Sequence, residues 1–393
     1  MMGILALIKR EFRLFLTNKT LLSVFFLAPI AYALLIGFTY KEGKVTEIPV
    51  LLVNADKTPT AQQVVDMLED NSSLRLIHYS QIPKEVSAEV IRQNAAAVVI
   101  IPERFEAMML QKKYPEINVY INTSNVLTGN FASKAIQITL GTFSAGAEIK
   151  ALQRRGMSSE QAKSQMEPFK TNYITLYNTT SNYLVFMWPP LMAVVLQQVI
   201  LLAMAVSFSE DFKRTSFITD FNGKQRYTAL IMAIKSLPIW LFSIFNLLMF
   251  YAFSLFFKLP TPEDSLHFFG VTAVFVLAAC NLGVFVSILV PDPLKATQVL
   301  MVIASPAFIV SGFTWPVYSM PTALRYLTNI IPLTPYLEAL KILLIQKGES
   351  SLTNGFYLQL VAQSVIYFLL GWIALKVKVK SLFKADKTHL ETS

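Results

Sequence analysis

Six stretches of this chain each approach or exceed the roughly 20 apolar residues a helix needs to cross a bilayer, and that restricts the fold before anything else does. They are LLSVFFLAPIAYALLIGFTY (21–40), NYLVFMWPPLMAVVLQQVILLAMAVSF (182–208), SLPIWLFSIFNLLMFYAFSLFF (236–257), LHFFGVTAVFVLAACNLGVFVSILV (266–290), ATQVLMVIASPAFIVSGFT (296–314) and FYLQLVAQSVIYFLLGWIAL (356–375). In hydrocarbon the backbone has to satisfy its own hydrogen bonds, so such runs read as helices. With 54% hydrophobic and 15% charged residues the chain is too apolar for an ordinary soluble protein. The first run is expected to be an uncleaved anchor: Ala31-Tyr32-Ala33 mimics a cleavage site, but the apolar stretch continues to Tyr40.

Lys and Arg total 34 against 25 Asp and Glu, and their placement gives the orientation. Lys9, Arg10, Arg13 and Lys19 precede the first run; Lys213, Arg214, Lys224, Arg226 and Lys235 fall in 209–235; Lys295 follows the fourth run; Lys376, Lys378, Lys380, Lys384 and Lys387 crowd the 376–393 tail. The alternate loops hold only Lys258, Arg325, Lys341 and Lys347. The bias places both termini in the cytoplasm and 41–181 outside. It assigns the basic excess to the membrane surface rather than to nucleic acid.

The expected fold class is therefore an α-helical polytopic membrane protein with six transmembrane helices and an extracytoplasmic α/β domain inserted between the first two. Within 41–181, EIPVLLVNAD (47–56), LRLIHY (74–79), AAAVVIIP (95–102) and EINVYIN (116–122) read as strands. TAQQVVDMLEDN (60–71), PKEVSAEVIRQN (83–94) and ERFEAMMLQ (103–111) read as helices, which implies a small mixed sheet. Residues 126–165 read as long helices broken near Gly156, and 168–177 as extended. Residues 1–20, with Ile4, Ile8, Phe12 and Phe15 at helical spacing, read as an amphipathic helix lying in the membrane interface.

Enzymatic constellations are missing from the sequence. His78, His267 and His389 are scattered and Cys280 is the single cysteine, so no zinc pattern exists and Cys280 reads as buried filler. GTFSAG around Ser144 has Thr142 where a nucleophile elbow requires glycine. No Gly-x-x-x-x-Gly-Lys-Ser/Thr loop occurs, so these residues do not hydrolyse ATP in the P-loop manner. The apolar cores of the six runs carry amides but no ionisable groups: Gln197, Gln198, Asn246, Asn281, Gln298 and Gln363. The amides are candidates for lining a pathway or for bonding between helices. Ion-coupled transport usually needs intramembrane charge, so energy is expected from a partner.

Several stretches resemble one family. KREF (9–12) precedes the first run; FSEDFKRT (208–215) is similar to a glutamate-led, basic, threonine-ended loop; Lys235 and Pro238 fit a G-K-x-x-P pattern with Ile234 in place of glycine. SGFTWPVYSMP (311–321) followed by IPLTPYLEALK (331–341) and Lys347-Gly348 carries the resemblance furthest. Together they resemble type-2 ABC exporter permeases with a large loop between spans one and two.

The resemblance implies a permease subunit in a bacterial inner membrane, working as a dimer with a second copy or a paralogue. It implies a cytoplasmic ABC ATPase that supplies ATP and Mg, with no cofactor on this chain, and a periplasmic adaptor and outer-membrane channel as further partners. Within a coupling loop at 209–227 it points to Glu210, Asp211, Lys213, Arg214 and Thr215 as ATPase contacts. Over 312–345 it implies a re-entrant exit region with Gly312, Trp315, Pro316, Pro321, Pro332, Pro335 and Glu338. The other reading of the same sequence is a membrane-anchored receptor or scaffold whose external domain binds a partner without transport.

Overall fold

The computed structural model describes residues 4–166, 169, 171–214, 217 and 227–391, with backbone only from 383 onward. They fall into two compact units, one within Met1–Gly43 and Thr175–Ser393 and the other Lys44–Ile174. Helix α1 (Ile4–Thr17) leads into α2 (Lys19–Thr39), which Asn18 caps by accepting a hydrogen bond from the Leu21 amide at 3.0 Å. The inward face of α1 is Leu7, Glu11 and Phe15, while Ile4 is exposed. The expected stripe of Ile4, Ile8, Phe12 and Phe15 is thus rotated. The reason is a protein neighbour: Phe15 stacks on Phe242 at 5.0 Å and meets Phe25 edge-on at 5.3 Å.

The second unit is a four-stranded sheet wrapped by helices. In chain order it runs β1 (Ile48–Asn54), α3 (Pro59–Glu69), β2 (Leu74–Tyr79), α4 (Val86–Arg92), β3 (Ala97–Ile101), α5 (Phe105–Leu110), β4 (Asn118–Ile121), α6 (Val126–Arg154) and α7 (Ser159–Met166). Strand order is β2-β1-β3-β4, with β1 parallel to both neighbours and β4 antiparallel to β3. The central strands are apolar at nearly every position because both faces are covered. Val50, Leu52, Val99 and Ile101 pack with α3, α5 and α6, whereas Leu51, Val53, Val98 and Ile100 pack with α4. The break between α6 and α7 falls at Gly156, whose φ of +91° is left-handed. Asp56, just past β1, accepts from the Glu106 amide at 3.0 Å and the Thr58 hydroxyl at 2.5 Å. Partial burial opposes its ionisation, but these donors prevail and hold its carboxyl below the usual range.

The chain then returns to the first unit with α8 (Tyr183–Lys213), α9 (Thr228–Phe256), α10 (Ser265–Leu289), α11 (Pro293–Val310), α12 (Thr322–Thr328), α13 (Leu333–Leu340) and α14 (Asn354–Glu391). Among the described residues, six helices are long and apolar enough to cross a membrane: α2, α8, α9, α10, α11 and the one ending the chain. Side-chain caps start several of them. Asn182 accepts from the Leu184 amide, Asp264 from that of His267, and Asp292 from those of Leu294 and Lys295. Helix α10 is the central one, buried against α8 and α14, and Gly283 allows the approach: a Cβ there would lie 2.4 Å from Met204 Cβ. The outer faces of α2, α9, α11 and α14 are left apolar, with Leu35, Leu248, Val302 and Leu358 all exposed, a surface suited to lipid.

Several boundaries differ from the sequence reading. Helix α8 runs past 208 to Lys213, and α9 begins at Thr228 rather than 236, which draws Asp211 and Lys235 into helices. Helical hydrogen bonding does not require apolar side chains, and the two charges satisfy each other. Helix α11 stops at Val310, short of 314, because Gly312 adopts φ +90°.

Candidate functional site

Four charges from three segments meet at one end of the helices. Lys235, in the second turn of α9, is only 3% exposed, and Asp211 in the last turn of α8 and Glu11 in α1 are nearly as buried. The Lys235 ammonium donates to Asp211 Oδ2 at 2.8 Å, to the Ser207 carbonyl at 2.8 Å and to Glu11 Oε2 at 3.3 Å. Arg10 donates to Asp211 Oδ1 at 2.8 Å and to Glu11 Oε1 at 2.5 Å. Among the described residues the four charges balance, which favours their persistence away from water. Helix α8 is also tied sideways here: the Phe208 and Ser209 amides donate to Ser287 Oγ of α10 at 2.8 and 3.0 Å. A cavity of about 270 Å³ opens beside the network, with Glu210 and Arg214 in its wall.

The residues expected to contact an ATPase therefore separate into two groups. Asp211 is turned inward, and its ion pairs with Arg10 and Lys235 hold α1, α8 and α9 together. The Glu210, Lys213 and Arg214 side chains stay near the surface. Glu210 pairs with Arg214 one turn on at 2.5 Å, and Lys213 pairs with Asp292 at 2.8 Å. That hydrogen bond, with the Lys295 amide, holds the Asp292 carboxyl below the usual range. Thr215 lies outside the described residues, as do Lys224 and Arg226. The sequence reading counted Lys235 as a loop cation and missed Arg10 and Glu11 as its partners. The G-K-x-x-P spacing was the one signal that set Lys235 apart.

The amides do not converge on one path. Asn246 donates to the Phe25 carbonyl at 3.0 Å, and Asn281 to Ser364 at 3.0 Å; both cross-brace helices. Gln197 is buried, with its Oε1 lacking a partner among the described residues, and Gln198 is half-buried. Gln298 is exposed on α11. Gln363 donates to the Asn329 carbonyl at 2.7 Å, fixing the link between α12 and α13.

The 311–345 region is a broken helix pair. Helix α12 and the segment Leu333–Ile345 are bent 82° to one another. Trp315, Pro316 and Pro321 are exposed, whereas Pro332 and Pro335 are buried. Glu338 pairs with Lys341 at 2.8 Å. The sequence did not single out Tyr336. Its ring stacks on Phe275 at 4.1 Å and its hydroxyl shares a hydrogen bond with Thr272 at 3.2 Å, fastening α13 to α10.

Residues 19–373, the helices and the inserted sheet unit together, match the family model described as ABC-2 family transporter protein. The chain belongs to the ABC-2 transporter family. Among curated relatives, it is 24% identical to ABC transporter G family member 20 of Dictyostelium discoideum over 95% of this chain and 50% of that protein. It is 25% identical to the probable multidrug ABC transporter permease YbhS of Escherichia coli K12, over 37% of this chain and 39% of that one. The chain thus spans half or less of the length of the curated relatives it matches. As a member of this family it is a multi-pass membrane protein.

Proposed function

We propose that this chain is the membrane permease of an ATP-driven exporter, acting as a pair with a second copy or a paralogue and driven by a cytoplasmic ABC ATPase. The observation that carries this reading is the buried network of Arg10, Glu11, Asp211 and Lys235. It joins α1 to the two helices that flank residues 214–227, so a force applied at that segment moves all three elements together. The exposed face of α11 supports the paired state. Gln298 and Ser305 lie there among apolar residues, and an amide facing lipid is costly unless protein covers it. In this reading 311–345 forms the exit, and the unit Lys44–Ile174 is extracytoplasmic, where an adaptor leading to an outer-membrane channel would dock. The multidrug permease among the relatives makes hydrophobic, drug-like cargo the first class to assay.

Docking is tested by exchanging Glu210→Arg with Arg214→Glu. The exchange keeps their intrahelical pair while reversing the charges shown to a partner. Reversing Asp211 instead would place a third cation in the buried network and confuse docking with folding. The exchanged variant is expected to reach normal membrane levels yet lose most ATPase co-purification. The chain alone is expected to show no ATP hydrolysis. Normal ATPase recovery and normal export in the variant would remove this surface from the coupling path.

Orientation is tested with single cysteines at Asp66 and Lys295, both exposed. The native Cys280 is fully buried and does not compete for reagent. An impermeant thiol reagent added to intact spheroplasts is expected to label the Asp66→Cys protein and spare the Lys295→Cys protein. The opposite pattern would invert the topology.

A further inference from the structure

The unit Lys44–Ile174 contains a cavity of its own, about 340 Å³, within the size range of small-ligand pockets. It lies between α3, α5 and α6. Helices α3 and α5 leave the carboxyl ends of the neighbouring parallel strands β1 and β3, beyond which the chain turns to opposite sides of β1. Met67, Met109 and Phe143 supply apolar lining. Methionine adapts its shape to the occupant, and Phe143 offers a flat ring.

The polar lining is asymmetric in charge. Lys150 and Arg154 sit one turn apart on α6, on the same face, and neither is ion-paired among the described residues. Glu106 is the one carboxylate in the wall, and it is already engaged, accepting from the Thr60 hydroxyl at 2.6 Å. Room for an occupant comes from Gly146, where a Cβ would meet nothing within 4 Å. An apolar floor with two uncommitted cations beside it complements a molecule with an apolar body and an anionic head.

We infer that this cavity binds an anionic amphiphile, a small molecule with an aliphatic or aromatic body and one carboxylate or phosphate-type head. The body lies against Met67, Met109 and Phe143, and the head is held by Lys150 and Arg154. The inference does not depend on the transport reading, since it concerns binding to this unit alone.

The test uses the full chain in phosphatidylcholine nanodiscs and dodecanoate carrying a diazirine at its tail. After photolysis, label is located by peptide mass spectrometry. Label is expected on peptides containing Met67, Met109 or Phe143, competed by plain dodecanoate but not by dodecyltrimethylammonium. Lys150→Glu with Arg154→Glu is expected to lower that label about tenfold or more, and Lys150→Arg with Arg154→Lys to retain it. Gly146→Leu is expected to lower it by filling the space. Label on the lipid-facing helices reports partition from the bilayer and serves as the folding reference, unchanged across the variants. Three outcomes overturn the inference: cavity label equally competed by the cationic amphiphile, cavity label indifferent to the double reversal, or label confined to the membrane helices.

Discussion

Lys235→Ala is expected to destabilise the helix bundle more than removal of any exposed charge in this protein. Among the described residues, the substitution leaves Glu11 and Asp211 facing each other with Arg10 as the remaining cation. Breaking a buried ion pair from one side costs about 3–5 kcal/mol, because the abandoned charge stays out of water. Lys235→Met with Asp211→Asn removes one charge of each sign and leaves Arg10 with Glu11, so most of the loss should return. Thermal unfolding in detergent, followed by tryptophan fluorescence across the full double-mutant cycle, measures this. The single variants should lose far more than the double variant, and additive losses would show that the charges do not act as a unit. Salt provides a second check. Raising the ionic strength should leave the effect of Lys235→Ala intact while erasing the smaller effect of Lys213→Ala, whose partner Asp292 is solvated.

Gly312→Val is expected to be the most damaging single change in the 311–345 region. Gly312 has φ +90°, which costs a residue with a side chain about 1–3 kcal/mol, and more for a β-branched one. A Cβ there would also stand 2.4 Å from Val317 Cγ2. The two causes separate experimentally. Gly312→Ala with Val317→Ala removes the colliding methyl and retains the backbone strain, so it should recover part of the Gly312→Ala loss. Gly312→Val should not be rescued to the same level. Export and unfolding temperature, compared at matched membrane abundance, are the measurements. Equal behaviour of Gly312→Ala with and without Val317→Ala would show that the turn yields rather than collides.

The sheet unit was largely legible because its signals are local. Alternation and apolar runs mark β1 to β4, and Gly156 marks the stop of α6. The membrane helices were legible for the same reason, since spanning a bilayer requires a long continuous run. Their ends were less so. Asp211 and Lys235 look like ordinary loop charges, and the amphipathic stripe of α1 gave no notice that Glu11 would face inward.

The sequence by itself determined that the chain carries about six helices long and apolar enough to cross a membrane, that it holds a small mixed sheet, and which family it resembles. The helices and the sheet follow from composition and periodicity along neighbouring residues, and the family resemblance from short motifs such as 208–215 and 311–341. The tertiary structure alone decided that Arg10, Glu11, Asp211 and Lys235 meet in one network, that Asn246 and Asn281 brace helices, and that Lys150 and Arg154 border a cavity. These facts join residues far apart in the chain, and a charge carries no mark of its partner until packing removes the water between them.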